Sequence, residues 1–233
     1  LGTMDCFVLA STRTEGVPLF VEELTKTVLE SGQLHAVGDR YIASASLPSF
    51  AIPATLHDSL IARLDRLACI KEIAQIGAAL GREFSYRLLA AVAPTADAPL
   101  QAALAQLGAA ELIFARGEPP DSTYSFKHAL VQEAAYASLL HSKRQRLHGQ
   151  IADAINEHFP EIVESHPELM AHHLAEAGLT ERAIEYFQKA GELAIKRSAN
   201  VEAISHLKRA HELVQSLPDH QGRGLASRIC DRL

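Results

Sequence analysis

Apolar residues recur at helical spacing along most of this 233-residue chain. From about Pro18 to Ser31, Leu19, Phe20, Leu24, Val28 and Leu29 share one face, and Gly32 stops the run. Pro18 suits the first turn of that helix, where a missing N–H costs nothing. Leu56, Leu60, Leu64 and Leu67 form a second stripe, with Asp58, Arg63, Asp65 and Arg66 predicted on the wet side. The run from Ile70 to Leu80 is nearly all apolar and ends at Gly81, which predicts a core helix. Beyond Pro160 the pattern predicts helices in hairpins, at about Pro167 to Ala177, Thr180 to Ser198 and Asn200 to Ser216.

Between these blocks the elements shorten. Leu34 to Pro53 is irregular, with Arg40-Tyr-Ile42 as one arm of a short hairpin. Phe84 to Val92 predicts a helix ended by Pro94, and Pro99 opens another that runs to about Ala109. Glu111 to Arg116 reads as a strand, Gly117-Glu-Pro-Pro-Asp121 as a turn, and Ser122 to Phe126 as the returning strand. At Lys127-His128 the chain turns into a helix predicted to bury Leu130, Ala134, Ala137 and Leu140 and to end near His141. Ser142 is expected to cap the next helix, whose stripe is Leu147, Ile151, Ile155 and Phe159. Three helices followed by a hairpin is the order of a winged-helix domain. The expected fold class is therefore mainly α: a helical lid, a winged-helix domain with a small β-hairpin, then α-α hairpins. The expected boundaries are 1–13 unassigned, 14–51 lid, 52–160 winged helix with flanking helices, and 161–233 repeats.

Composition narrows the chemistry. The chain is 48% hydrophobic and 21% charged, with no tryptophan, as in an Ala/Leu-rich helical protein. A net charge of −6 provides no global basic field for nucleic acid or an anionic membrane. Cys6, Cys69 and Cys230 are scattered and form no CxxC, which predicts reduced apolar fillers in a cytoplasmic protein. No apolar run approaches the roughly 18 residues of a membrane span. A DNA-reading third helix needs cations for base edges and phosphates, but Pro99 to Ala109 holds no Lys or Arg. His166, His172 and His173 do not predict a metal site, because neighbours on a helix point about 100° apart and no HExxH is present. Gly77-Ala-Ala-Leu-Gly81 lacks the Gly-Lys-Ser/Thr of a phosphate loop, and the chain contains no Walker A and no G-x-S-x-G. No catalytic residue is predicted.

Two polar features remain. His128 stands where a strand becomes a helix, beside free backbone N–H groups and a positive dipole end, a place suited to phosphate or to a polar residue that caps or packs the junction. Lys143-Arg-Gln-Arg146 puts cations in a helix's first turn, against the dipole, so a partner is expected: either a carboxylate or a nucleotide phosphate. On the last two helices Phe187, Gly191, Ala203, Leu207 and Ala210 fall on the large, Gly, Ala, large and Ala positions of a tetratricopeptide template. Ala194 departs from it where an aromatic is usual. One or two such repeats cannot cover their own apolar faces, so more are expected after Leu233.

Gly16-Val-Pro-Leu-Phe-Val-Glu-Glu-Leu24, Ile52-Pro-Ala-Thr-Leu56 with Ala62-Arg-Leu-Asp-Arg-Leu67, and Phe126-Lys-His-Ala-Leu-Val-Gln-Glu-Ala-Ala-Tyr136 occur in that order. In order and spacing they resemble the signal-transduction ATPases with numerous domains, the STAND class of AAA-related NTPases. The tail from Ala171-His-His-Leu-Ala-Glu-Ala-Gly178 to Ala210 resembles their tetratricopeptide arm. The best match is to bacterial predicted ATPases fused behind a class III adenylate/guanylate cyclase. The resemblance spans residues 14–217 and implies the back half of such a protein, with the cyclase and the phosphate-loop core before it. It implies that Pro18 packs against the nucleotide base and that His128 reaches the β-phosphate of ADP, holding a closed state. ADP or ATP would bind only with the missing NTPase core, without a metal held by this chain. A protein partner would grip the arm. Where the resistance-protein branch often has Asp after that histidine, this chain has Ala129. The alternatives are a free-standing helical repeat adaptor and, third, a DNA-binding winged-helix regulator.

Overall fold

The structure, a computed structural model, describes residues 34–37, 40–43 and 56–217. The predicted lid helix with Pro18, the first 13 residues, Cys6 and Cys230 lie outside them. Leu34–Val37 (β1) and Arg40–Ala43 (β2) pair as an antiparallel hairpin, with Ala36 opposite Tyr41. The rest is mainly helical with one small sheet. In order come α1 (Leu56–Arg66), α2 (Ala68–Leu80), β3 (Glu83–Ser85), α3 (Tyr86–Val92) and α4 (Asp97–Ala109). Then follow β4 (Ile113–Arg116), β5 (Thr123–Phe126), α5 (Ala129–Ala137) and α6 (His141–His158). The last described elements are α7 (Pro160–Ser165), α8 (Pro167–Glu176), α9 (Thr180–Lys196) and α10 (Asn200–Ser216).

The apolar run of α2 is buried along its length, from Ile70 through Ile73, Ile76 and Ala79, as its composition predicts. Gly77 is part of the reason. A Cβ there would lie 2.8 Å from the Phe84 ring, so only glycine lets β3 come this close. The sheet is antiparallel in the order β3-β5-β4, with Phe84 opposite Tyr124 and Ile113 opposite Phe126. Alternation turns Tyr124 and Phe126 of β5 inward, where Phe84 stacks on Tyr124 at 5.9 Å. β3 is an addition to the predicted hairpin. Its three residues are too few to show a period, and Ser85 ends it by capping α3, accepting from the Leu88 N–H at 3.2 Å.

Four local expectations need correction. Arg63, predicted on the wet side of α1, is 3% exposed and donates to the Ala110 carbonyl, one of the groups left without an intrahelical partner at the end of α4. On α5 the buried residues are Val131, Ala134 and Ala135. Leu130 is 38% exposed, Leu140 is 75% exposed, and Ala137 is also exposed. The segment is apolar on two faces, and packing against α2 selects the Val131 face. Ser142 is not a cap, because α6 already begins at His141 with Leu140 as its N-cap. Pro160 ends one helix and also opens the short α7 at its first turn.

One apolar core runs from Leu60 on α1 through Ile151 and Ile155 on α6 to Met170 and Leu174 on α8 and Ala183 on α9. A smaller cluster, with Ile184, Phe187, Ala210 and Val214, holds α9 against α10. There a Cβ on Gly191 would meet Leu207 at 2.8 Å. The absence of a side chain at Gly191 is therefore what lets Leu207 of α10 pack this close to α9.

Candidate functional site

His128 is reached from the sheet. β5 ends at Phe126, and Lys127 is held by its N–H to the Leu112 carbonyl at 3.0 Å and by its ammonium to Glu111 at 2.9 Å. His128 then takes extended backbone angles, φ −136° and ψ 146°, as the N-cap of α5, and its carbonyl accepts from Val131 N–H at 3.0 Å. Its side chain makes no capping bond, and its buried Nε2 has no hydrogen-bond partner. Gln132, one turn along, fixes α5 to α2 by donating to the Ala78 carbonyl at 3.1 Å. The result is an imidazole held beside the open end of a helix, with one ring nitrogen uncommitted. Pro18, the other predicted ligand, lies outside the described residues, so nothing here brings the two together.

Two of the three cations at the start of α6, Lys143 and Arg144, have partners. Lys143 meets the Glu72 carboxylate of α2 at 3.1 Å, which selects the carboxylate over the phosphate alternative for this residue. The Arg144 guanidinium lies 4.3 Å above the Tyr136 ring and donates to the Tyr136 carbonyl at 3.4 Å. Arg146 joins Lys143 on the rim of a groove of about 290 Å³, floored by Ile76, Val92 and Leu147.

A second polar cluster lies where α6 meets α8. His148 and His173 are each 1% exposed, and their Nδ1 atoms are 2.8 Å apart. Nε2 of His148 is 2.9 Å from the Tyr136 hydroxyl, which also reaches Glu176 at 3.3 Å. Nε2 of His173 is buried without a partner. His172 is exposed, its ring 5.8 Å from that of His148. Burial, with the His172 ring and the Arg144 guanidinium adding to it against Glu176, lowers the His148 pKa to about 4. Burial, then the two neighbouring imidazoles, lowers that of His173 to about 3. Burial and Glu176 push the Tyr136 phenol up to about 12. Among the described residues no group of three or more His, Cys, Asp or Glu is arranged to hold a metal ion.

Reading the sequence missed this cluster, although a signal existed. His148 falls in register with Ile151, Ala152 and Ile155, and His173 with Met170, so each histidine sits on an apolar stripe. The adjacent pair His172-His173 drew attention to itself, whereas the partner of His173 is 25 residues upstream.

Against known proteins, the chain is 29% identical over 210 residues to an uncharacterized protein of Rhizobium meliloti (strain 1021), covering 90% of this chain. The chain spans only 20% of that relative's length. No family model matches the chain and no solved structure matches it. Among the described residues no helix is long and apolar enough to cross a membrane.

Proposed function

We propose that this chain is the regulatory part of a STAND-type nucleotide switch, in which His128 senses ADP and the C-terminal helices engage a protein partner. The observation that carries the reading is His128. It stands at the junction from sheet to helix, with an uncommitted, buried Nε2 beside the free N–H groups of α5. In this reading the ring turns its uncommitted nitrogen toward a phosphate oxygen when ADP binds. The element order α2-β3-α3-α4-β4-β5, with sheet order β3-β5-β4, supports a winged helix around it. The close approach of α9 and α10 at Gly191 supports tetratricopeptide-like hairpins. In this reading Pro18 packs on the base, and a phosphate-loop core elsewhere in the parent protein supplies most of the affinity for ADP or ATP. A cyclase in the same parent would be the output, and the cytoplasm its place of action. Ala129 leaves the latch without the acidic residue found in one branch of the class.

A second reading, a helical repeat adaptor, draws on Val201 at 80% and Ile204 at 48% exposure on α10, apolar side chains suited to a protein partner. The DNA-binding reading gains nothing, since α4 carries no cation. The full-length gene product separates the first two. It is expected to co-purify with ADP and to gain several degrees of Tm in millimolar ADP, with that gain clearly reduced in His128→Ala. A full-length protein that carries no adenine nucleotide and shows no ADP-dependent shift would overturn the switch reading and leave the adaptor.

A further inference from the structure

We propose that the seam between α6 and α8 is an acid-labile joint: the neutral His148–His173 pair keeps the helices docked, and proton uptake by the two rings lets them part. The inference stands on the seam's own geometry and does not depend on nucleotide binding at His128.

Proton counting explains why the pair is held neutral. Two neutral imidazoles carry two N–H groups on four ring nitrogens, and the 2.8 Å Nδ1···Nδ1 contact needs one of them. If His148 donates, its Nε2 accepts from Tyr136, and His173 keeps its hydrogen on Nε2, where the protein offers no acceptor. If His173 donates, its Nε2 is a bare lone pair, His148 donates to the Tyr136 oxygen, and Tyr136 is free to donate to Glu176. The second arrangement leaves no buried donor unpaired and is the favoured one, because a stranded N–H costs more than an unused acceptor. One added proton must go to His173 Nε2, creating that stranded donor on a charged ring. Two added protons place N–H against N–H across the contact and break it.

The surroundings also oppose charge. From α5 comes Tyr136, from α6 Arg144, and from α8 His172 and Glu176. Among the described residues these are the titratable and charged groups acting on the two rings. Glu176 is the one anion, and it reaches His148 through the Tyr136 hydroxyl rather than directly. Arg144 is always cationic, and the exposed His172 ring lies 5.8 Å from that of His148. Once apart and wet, both rings titrate in the ordinary histidine range. Opening therefore takes up protons, and acid favours it by up to about tenfold per pH unit for each ring. Undocked, the ten-residue α8 is too short to persist as a helix.

Hydrogen exchange of the whole chain between pH 7 and pH 5, corrected for intrinsic exchange, tests this. Protection of the α8 amides is expected to fall at least tenfold more than that of α2 across this range. In His173→Asn, which keeps a hydrogen-bonding group near Nδ1 but does not titrate, the excess loss is expected to shrink severalfold. Equal losses in α2 and α8, or an undiminished loss in the variant, would overturn the proposal. Should the variant lack a cooperative melt, imidazole 15N titration of the wild type decides. Rings that stay neutral until α8 loses protection support the joint, and rings that protonate near pH 6.5 while α8 stays protected refute it.

Discussion

Two helix seams in this chain do the same mechanical job with different chemistry. Between α9 and α10, Gly191 removes a side chain so that Leu207 can seat, and Ile184, Phe187, Ala210 and Val214 close the contact. Between α6 and α8, two imidazoles, a phenol and a carboxylate are linked through hydrogen bonds around a buried centre. The first seam depends mainly on shape and burial, which do not change with protons, although the His206 ring of α10 stacks on Phe187 at 6.4 Å. The second adds groups that are tolerable only while paired and uncharged. Among the described residues, α6 and α8 meet through imidazoles and α9 and α10 mainly through shape, so the two contacts should answer acid differently.

Acid should therefore separate the two seams, and it is the largest effect expected. Both buried histidines have pKa values lowered from the ordinary 6.5, to about 4 and about 3, so below pH 6.5 the unfolded chain binds more protons than the folded one. Their contribution to stability is full above about 6.5 and is lost as the pH falls toward 4 and 3. Taken together, the loss between pH 7 and pH 5 is on the order of 3 kcal/mol. Urea unfolding at the two pH values reads it as a lower midpoint. The double variant His148→Gln/His173→Asn should start less stable at pH 7 and show a flatter profile. A wild-type midpoint that holds steady to pH 5 would mean that the polar seam is as inert as the apolar one.

The apolar seam is broken by volume instead. Gly191→Ala puts a methyl group 2.8 Å from Leu207 Cγ and Cδ2 and should cost about 2 kcal/mol. With Leu207→Ala already present the added cost should drop by half or more, because both clashing atoms, Cγ and Cδ2, are gone. Neither value should vary between pH 7 and pH 5. A clash energy that tracks pH would show that the two seams are coupled.

The contrast also accounts for what could be read in advance. Gly191, Ala203 and Leu207 announce themselves because small and large residues at fixed offsets have one sensible use between packed helices. The α2 run, the β4–β5 hairpin and the α8–α10 boundaries were legible for the same reason: periodicity and punctuation are local. The α5 face was not, since Leu130 and Val131 are equally apolar and only the packing of α5 on α2 chooses between them. Arg63 was misplaced because its acceptor, the Ala110 carbonyl, is 47 residues away. His128 was found as the residue at a strand-to-helix junction, but its uncommitted Nε2 is a property of tertiary surroundings. The His148–His173 pair depends wholly on which helices meet, so the sequence held only a hint of it, two histidines on apolar stripes.

Arg63 gives a test of intermediate size. Arg63→Met keeps much of the buried stem but leaves the Ala110 carbonyl without this donor at the end of α4. The expected loss is about 1–2 kcal/mol, measured by urea unfolding, and insensitive to pH. A neutral outcome would mean that the carbonyl finds another partner as readily.

The smallest expected effect asks whether polarity alone distinguishes the seams. Lys143–Glu72 also joins α6 to a neighbouring helix through a polar contact, at 3.1 Å, but both side chains face solvent, 39% and 51% exposed. In water the attraction is screened, and holding two long side chains in one geometry costs entropy that offsets most of it. Lys143→Gln should therefore change stability by less than about 0.5 kcal/mol, with little change on adding 0.5 M salt. It should also leave the loss of stability between pH 7 and pH 5 intact, because that loss arises at the buried histidines. A large loss would mean that α6 is held at its surface as firmly as at its buried histidines, and burial would no longer explain why one polar contact matters and the other does not.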